Sequence, residues 1–335
     1  MSLKSDTPGG TLVIQPLPGI GDTIWHLPHL QAIAGTSRDR RITLLTKERS
    51  LARELLAAAN HVREVLYIAP DGKNHSGPLG GWRLGTDLRP YQFGQVWILH
   101  GSVRYALAAW RAGIAKRIGV GIGWQDALLT SPHGLSRRDR SLSAIAKANR
   151  LLQMHDVLLA GAGPALPLPG DALQTAKFAL ATLPEPRIAL AIGSSEAFKQ
   201  WGEANFGALI QTLHEGLGHA VVLVGGPAEA EMAMRLAKRF QEPPWLACLI
   251  HRPILEAAAA VSLCQACIGN DTGMLQIAAA VDTPSLGLFG GSVPLHEDPR
   301  ITPLSPPGLV RHGKDRMDEI SVEMVLSALG DLGRR

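Results

Sequence analysis

Apolar residues in this chain come in short unbroken runs, and most runs are followed by a stretch in which they recur every three or four positions. A short apolar run between turn residues reads as a buried strand, and the three-to-four spacing reads as a helix with one apolar face. Thr11–Leu17 is the first such strand. Thr23–Ala34 is the first helix, with Ile24, Leu27, Leu30 and Ile33 as its stripe. Strand Arg41–Thr46, helix Glu48–Ala59 and strand Glu64–Ile68 follow, and then a Gly- and Pro-rich stretch, Asp71–Pro90, that reads as a long loop. Strand Gln95–His100, helix Val103–Ala112, strand Arg117–Val120 and a helix over Ser141–Leu159 complete the first half. Gly161–Gly170 is the clearest linker. Beyond it come strand Arg187–Ile192, helix Ala204–Glu215, strand Ala220–Val224, helix Ala228–Phe240, strand Ala247–Ile250 and helix Ile254–Leu263. A polar loop after Gly290 leads to a terminal helix, Ile320–Leu332.

The stretch Ala266–Gly290 is the most informative. A strand ends at Ile268, Gly269 and Asn270 break it, and Asp271 and Thr272 stand where a helix N-cap belongs. A helix over Gly273–Val281 is stopped by Asp282, Thr283 and Pro284, and a second strand covers Ser285–Phe289. The helix start offers unpaired N–H groups and the positive end of a dipole, and Gly273 allows close approach, which suits a phosphate or diphosphate. An ordinary capped helix explains the same residues equally well.

Strands alternating with helices on both sides of the linker predict an α/β protein of two doubly wound parallel sheets, one over 1–165 and one over 166–335, with the terminal helix able to pack back on the first. Ligands of such sheets lie beyond the carboxyl ends of the strands, so a two-domain version is expected to hold its site in the cleft. Three loops on that edge carry chemistry. Pro18–Asp22 has the glycines of a dinucleotide turn but Ile24 where the third glycine belongs, and its Asp22 is either a helix cap or a carboxylate able to take a proton. Gly193–Trp201 offers Ser194, Ser195 and Lys199, a set able to hold a diphosphate or only to form a solvated turn. The third loop is Gly269–Gly273, described above; a further feature, Val224-Gly225-Gly226-Pro227, ends a strand, and Glu229 in the first turn after it can bind ribose hydroxyls or favour the helix dipole.

The chain has 335 residues, of which 46% are hydrophobic, enough for two cores. Its N-terminus is polar, and its best apolar runs are interrupted by Glu256 or Asp282, so a soluble, cytoplasmic protein is expected. Cys264 and Cys267 lack a second pair to complete a zinc site and read as packed thiols. Residues 1–165 hold 20 Lys and Arg against 11 Asp and Glu, and residues 166–335 hold 13 against 18, giving +9 and −5. The basic half calls for an anionic partner. Aromatics are 5% of the chain and no nucleic-acid motif occurs, so nucleic acid is disfavoured.

GIGDTIWHLPHLQAI, SSEAFKQWGEANFGALI, VGGPAEAEMAMRL and NDTGMLQIAAAVDTPSLGLFG together resemble the heptosyltransferases of glycosyltransferase family 9, in order and in spacing. The resemblance implies a GT-B fold of two Rossmann-like domains facing across a cleft, an ADP-sugar donor, inverting chemistry, and no metal or other cofactor. It implies Asp22 as the catalytic base. Ser194, Ser195, Lys199, Thr272 and Gly273 would hold the donor phosphates, Glu229 the ribose, and Asp271 the sugar. It further implies an anionic glycolipid acceptor of lipid A–Kdo type, and with it peripheral contact with the inner membrane surface. No Asp-x-Asp pair occurs, which agrees with the metal-free expectation. Gln276 departs from the His many members carry in this helix, and Asp71–Pro90 matches nothing in the family pattern. A non-catalytic nucleotide-sugar or glycan-binding protein of the same fold would need the cleft but no base. A nicotinamide enzyme would need the missing third glycine.

Overall fold

The computed structural model describes residues 9–69, 74–131, 134–159, 161, 163–194, 196–294, 298–308 and 310–332. The chain divides into two units, Met1–Gly161 and Ala162–Arg335. Unit one runs β1 (Thr11–Ile14), α1 (Ile20–Thr36), β2 (Ile42–Thr46), α2 (Ala52–Leu55), β3 (Val62–Tyr67), α3 (Gly80–Leu88), β4 (Gln95–Ile98), α4 (Val103–Arg111), β5 (Lys116–Gly119) and α5 (Ala144–Met154). Its strands pair in parallel in the order β3-β2-β1-β4-β5. Alternate residues of these strands point to opposite faces. On one face Leu12, Ile14, Val96 and Ile98 pack against Leu84 and Leu88 of α3 and Tyr105, Ala106 and Ala109 of α4.

Unit two runs α6 (Gly170–Ala179), β6 (Arg187–Ala191), α7 (Glu203–Glu215), β7 (Ala220–Gly225), α8 (Ala230–Arg239), β8 (Leu246–Ile250), α9 (Ile254–Ser262), β9 (Ala266–Asn270), α10 (Gly273–Ala280), β10 (Ser285–Leu288), β11 (Ile301–Leu304) and α11 (Val322–Leu332). Its sheet is parallel throughout, in the order β11-β10-β9-β6-β7-β8. Renumbered within the unit this is the 3-2-1-4-5-6 arrangement, whose order reverses between β6 and β9. In unit one the reversal falls between β1 and β4. These reversal points leave an opening beyond the strand ends, which is where such sheets bind ligands.

Several elements differ from the sequence-based expectation. Asp71–Pro90 is not a continuous loop: α3 occupies Gly80–Leu88, while residues 70–73 lie outside the described residues. Beyond Gly80 at its start, two interior glycines, Gly81 and Gly85, make this helix intrinsically weak. A side chain cannot fit at either, because a Cβ on Gly85 would stand 2.6 Å from the Ala108 carbonyl oxygen and one on Gly81 2.8 Å from that of Arg104. The bare backbone therefore lets α3 lie against α4, and burial outweighs propensity. The polar loop expected after Gly290 contains β11, an edge strand whose Pro303 hid it. Gly170 begins α6 rather than only closing the linker. The Glu48–Ala59 helix is a 3₁₀ turn followed by the four-residue α2, separated by Leu51 in the left-handed region at φ 51°. The helix expected over Ser141–Leu159 is α5, which starts at Ala144 because the Ser143 hydroxyl caps it at Ala146 N–H and which ends at Met154. The terminal helix α11 packs within its own unit, placing Val325 in the core with Leu286, Leu288 and Phe206.

Candidate active site

β1 ends at Ile14, three residues earlier than its apolar run suggests, and α1 starts at Ile20. Asp22 therefore sits inside the first turn of α1. Its Oδ2 accepts the Gly19 N–H at 3.0 Å, closing the helix start. Burial pushes the Asp22 carboxyl above its ordinary value of 3.8, against the Gly19 bond, which lowers it. Among the described residues no hydrogen bond is made to Oδ1, so one oxygen holds the helix and the other is available to a proton. One turn on, His26 Nδ1–H donates to the Asp22 carbonyl at 2.6 Å, and His29 Nε2–H donates to the Asn149 amide oxygen of α5 at 2.7 Å. Both rings are buried, and burial lowers each to about 4, so both are neutral at pH 7.

Across the reversal point, the turn after β4 carries His100. Buried Gln125 holds this turn by donating to the carbonyls of His100 and Ser102. His100 is lowered first by burial and then by the positive charges of Lys47, which follows β2, and Lys147 on α5. Sequence reasoning missed this pairing of two lysines with a histidine, because they come from three separate elements.

In unit two, β9, β6 and β7 are neighbours, so their carboxyl-end loops lie side by side. β9 continues through Asn270, contrary to the expectation that Gly269 and Asn270 break it. Gly269 is needed within the strand, because a Cβ there would approach Ala191 Cβ of β6 to 2.5 Å. Asn270 is fully buried. Its amide donates to the Gly193 carbonyl at 3.0 Å and to Gln200 Oε1 at 2.9 Å, and its oxygen accepts Trp201 N–H at 3.1 Å. This one side chain pins the loop from Gly193 to Trp201 over the end of β9. Trp201 Nε1–H secures the far end by donating to Ile320.

The pinned loop brings Lys199 to Asp271. Lys199 Nζ lies 3.1 Å from Asp271 Oδ2 and 3.0 Å from Glu196 Oε2. Burial opposes the ammonium charge, but the two carboxylates outweigh it and hold Lys199 above its ordinary value. Ser292, in the Gly-Gly-Ser turn after β10, donates its hydroxyl to Asp271 Oδ2 at 2.7 Å. Sequence reasoning also missed Ser292, though its strand-end glycines could have flagged it. The N-cap of α10 is Thr272, yet its hydroxyl makes no capping bond and is buried without a partner among the described residues. The N–H groups of the first turn of α10, beginning at Gly273, have no partner within the helix. An unsatisfied hydroxyl beside free N–H groups costs stability unless an acceptor arrives.

Ser194 turns its hydroxyl to the Glu196 carbonyl at 2.7 Å, and Ser195 lies outside the described residues. Glu229 accepts Gly226 N–H at 2.8 Å and lies against Gly193, where a Cβ would meet its carboxyl carbon at 3.2 Å. Unit two thus gathers Ser194, Lys199, Glu229, Asp271, Thr272 and Gly273 on one sheet edge. Cys264, just before β9, and Cys267, within it, are buried free thiols near the opposite end of that strand. Burial pushes Cys264 up to about 12 and raises Cys267 further.

The family model for glycosyltransferase family 9 (heptosyltransferase) matches residues 81–306. Lipopolysaccharide heptosyltransferase 3 of Escherichia coli is 37% identical over 99 residues, 29% of each chain. Lipopolysaccharide heptosyltransferase 2 of Salmonella typhimurium is 27% identical over 228 residues, 63% of this chain and 64% of that one. The chain matches these relatives over less than two thirds of their own length. Among solved structures, a glycosyl transferase family 9 protein from Veillonella parvula superposes with a TM-score of 0.79 at 19% identity, covering 99% of this chain and 98% of that one. The E. coli ADP-heptose lps heptosyltransferase II superposes with a TM-score of 0.74 at 21% identity, covering 96% and 98%. At such identities the structural likeness speaks for the fold alone.

Proposed function

The chain belongs to glycosyltransferase family 9, the heptosyltransferase family, and from that premise we propose that it moves a heptose or related sugar from an ADP-sugar to an anionic glycolipid of the lipopolysaccharide core, such as lipid A–Kdo. The reaction inverts the anomeric centre and needs no metal. The observation that carries the donor assignment is the strand-end cluster of unit two: Lys199, the unpartnered Thr272 hydroxyl and the free N–H groups from Gly273 onward. That combination of cation, hydroxyl and helix start suits a diphosphate. Ser194 and Ser195 add hydroxyls to it, Glu229 takes the ribose, and Asp271 contacts the transferred sugar.

The acceptor oxygen attacks the anomeric carbon, and the bond from that carbon to the diphosphate breaks with its electron pair going to ADP. The acceptor proton passes to Asp22 Oδ1. Lys199 and the N–H groups of α10 stabilise the charge that grows on the leaving phosphate. Lys47 and Lys147 in unit one supply positive potential for an anionic acceptor around the turn that carries His100. One observation favours a binding-only protein instead: the Asp22–Gly19 bond is what a plain helix cap makes.

Lys199 with Glu196 and Asp271 carries one positive and two negative charges, so a diphosphate gains the ammonium by displacing a carboxylate. Glu196, the more exposed of the two, is the one that yields. Calorimetry with ADP tests this through two variants of opposite sign. Lys199→Ala weakens binding by roughly 1.5–3 kcal/mol, the range for hydrogen bonds to charged groups, and Glu196→Gln tightens it. Unchanged ADP affinity in the Lys199 variant removes this residue from the site.

A further inference from the structure

We propose that the outer side of α3 and α4 is a docking surface for an anionic lipid bilayer. Against each other these helices meet through Gly81 and Gly85, and outward they show aromatic rings. Trp82 is 44% exposed and Trp110 48%, with ring centroids 6.4 Å apart. Leu79, just before α3, and Val103, at the start of α4, are also exposed. Two neighbouring tryptophans facing water on adjoining helices, with exposed aliphatics at the starts of the same two segments, give apolar surface that calls for a partner. An indole is apolar over most of its area with one polar N–H, which suits the headgroup boundary of a bilayer.

Charge selects the occupant. Residues 79–111 hold Arg83, Arg89, Arg104 and Arg111 against one acidic residue, Asp87, which is bonded to His75. The Arg111 guanidinium lies over the Trp82 ring at 4.6 Å, so cation and aromatic share one place, and the whole first half of the chain is basic. Arginine beside tryptophan is the pattern of a surface drawn to anionic headgroups by charge and held there by shallow apolar burial. A glycan platform fits less well: one face of Trp82 is taken by Arg111, and the two indoles are tilted by 52° rather than coplanar. Among the described residues no helix is long and apolar enough to cross a membrane, so such a surface would hold the chain on a bilayer without spanning it.

This inference rests on the anionic-glycolipid reading for why a bilayer is approached, and its test is separable from that reading. Co-sedimentation of the full chain with phosphatidylcholine vesicles, with and without phosphatidylglycerol, is measured for the wild type and for Trp82→Ser/Trp110→Ser. Melting temperature and ADP affinity serve as folding controls, and transfer to a detergent-dispersed acceptor is followed in parallel. The wild type binds the phosphatidylglycerol vesicles preferentially and loses them as salt rises. The double variant binds them roughly tenfold less well, as expected when the apolar contact is removed, with transfer unchanged. Arg83→Glu, which leaves both rings in place, also weakens vesicle binding. Equal binding by wild type and double variant overturns the proposal, as does a wild type with no preference for anionic vesicles. Absent transfer with intact vesicle binding counts against the enzymatic reading alone.

Discussion

Asp22 has two oxygens in two settings. Oδ2 is committed to the Gly19 N–H, and burial raises the carboxyl above 3.8. A base works only when ionised, so the acid limb of the transfer rate should lie above the ordinary Asp value, with the rate rising as pH rises through it. Asp22→Asn keeps the amide oxygen that can cap Gly19 but cannot take the proton. Transfer should fall by about 10²–10⁴-fold, the usual share of general base catalysis, with ADP affinity and melting temperature nearly unchanged. A helix-capping role alone predicts near-normal turnover in the same assay. Asp22 and Lys199 were legible in the sequence because each stands beside a glycine- or serine-bearing turn at a strand end. Asn270 was not, since its effect is to hold Gly193, Gln200 and Trp201, some seventy residues back along the chain. Ser292 had a local signal in the strand-end glycines before it, but its partner Asp271, 21 residues back along the chain, was not legible.

Element by element, the alternation of strand and helix could be read from periodicity wherever burial is continuous. It failed where tertiary packing overrides local preference, as in α3 with its two interior glycines and in β11 with Pro303. The first turn of α1 was also placed late, because a capping carboxylate at Asp22 extends the helix back over Ile20 and Gly21. What α1 buries has a consequence for acid stability. His26 and His29 titrate near 4 when folded and at an ordinary 6.5 when unfolded. Below 6.5 the unfolded chain takes protons that the folded chain refuses. Their contribution is therefore present above pH 6.5 and is lost as pH falls from 6.5 toward 4, on the order of 3 kcal/mol per histidine at full development. Denaturant titrations across that range should show a shallower pH slope for His26→Gln than for the wild type. Equal slopes would mean that His26 is not held neutral by the fold.

At the scale of the whole molecule, two doubly wound units and a basic first half were legible in composition and repetition. Strand order was not, because nothing local says that β6 lies between β9 and β7. That order is what sets three distant loops, carrying Lys199, Glu229 and Asp271, side by side on one sheet edge. It also gives each unit its own reversal point, with Asp22 at one and Lys199 at the other. In the proposed reaction, proton removal belongs to the first and donor binding to the second. The most direct test is mass spectrometry of a lipid A–Kdo acceptor after incubation with the purified chain, ADP-heptose and a metal chelator. The expected product is an acceptor heavier by one heptose, with ADP released in equal amount and no loss of activity to the chelator. Tight ADP-heptose binding with an unaltered acceptor would contradict it and leave a nucleotide-sugar-binding protein in its place.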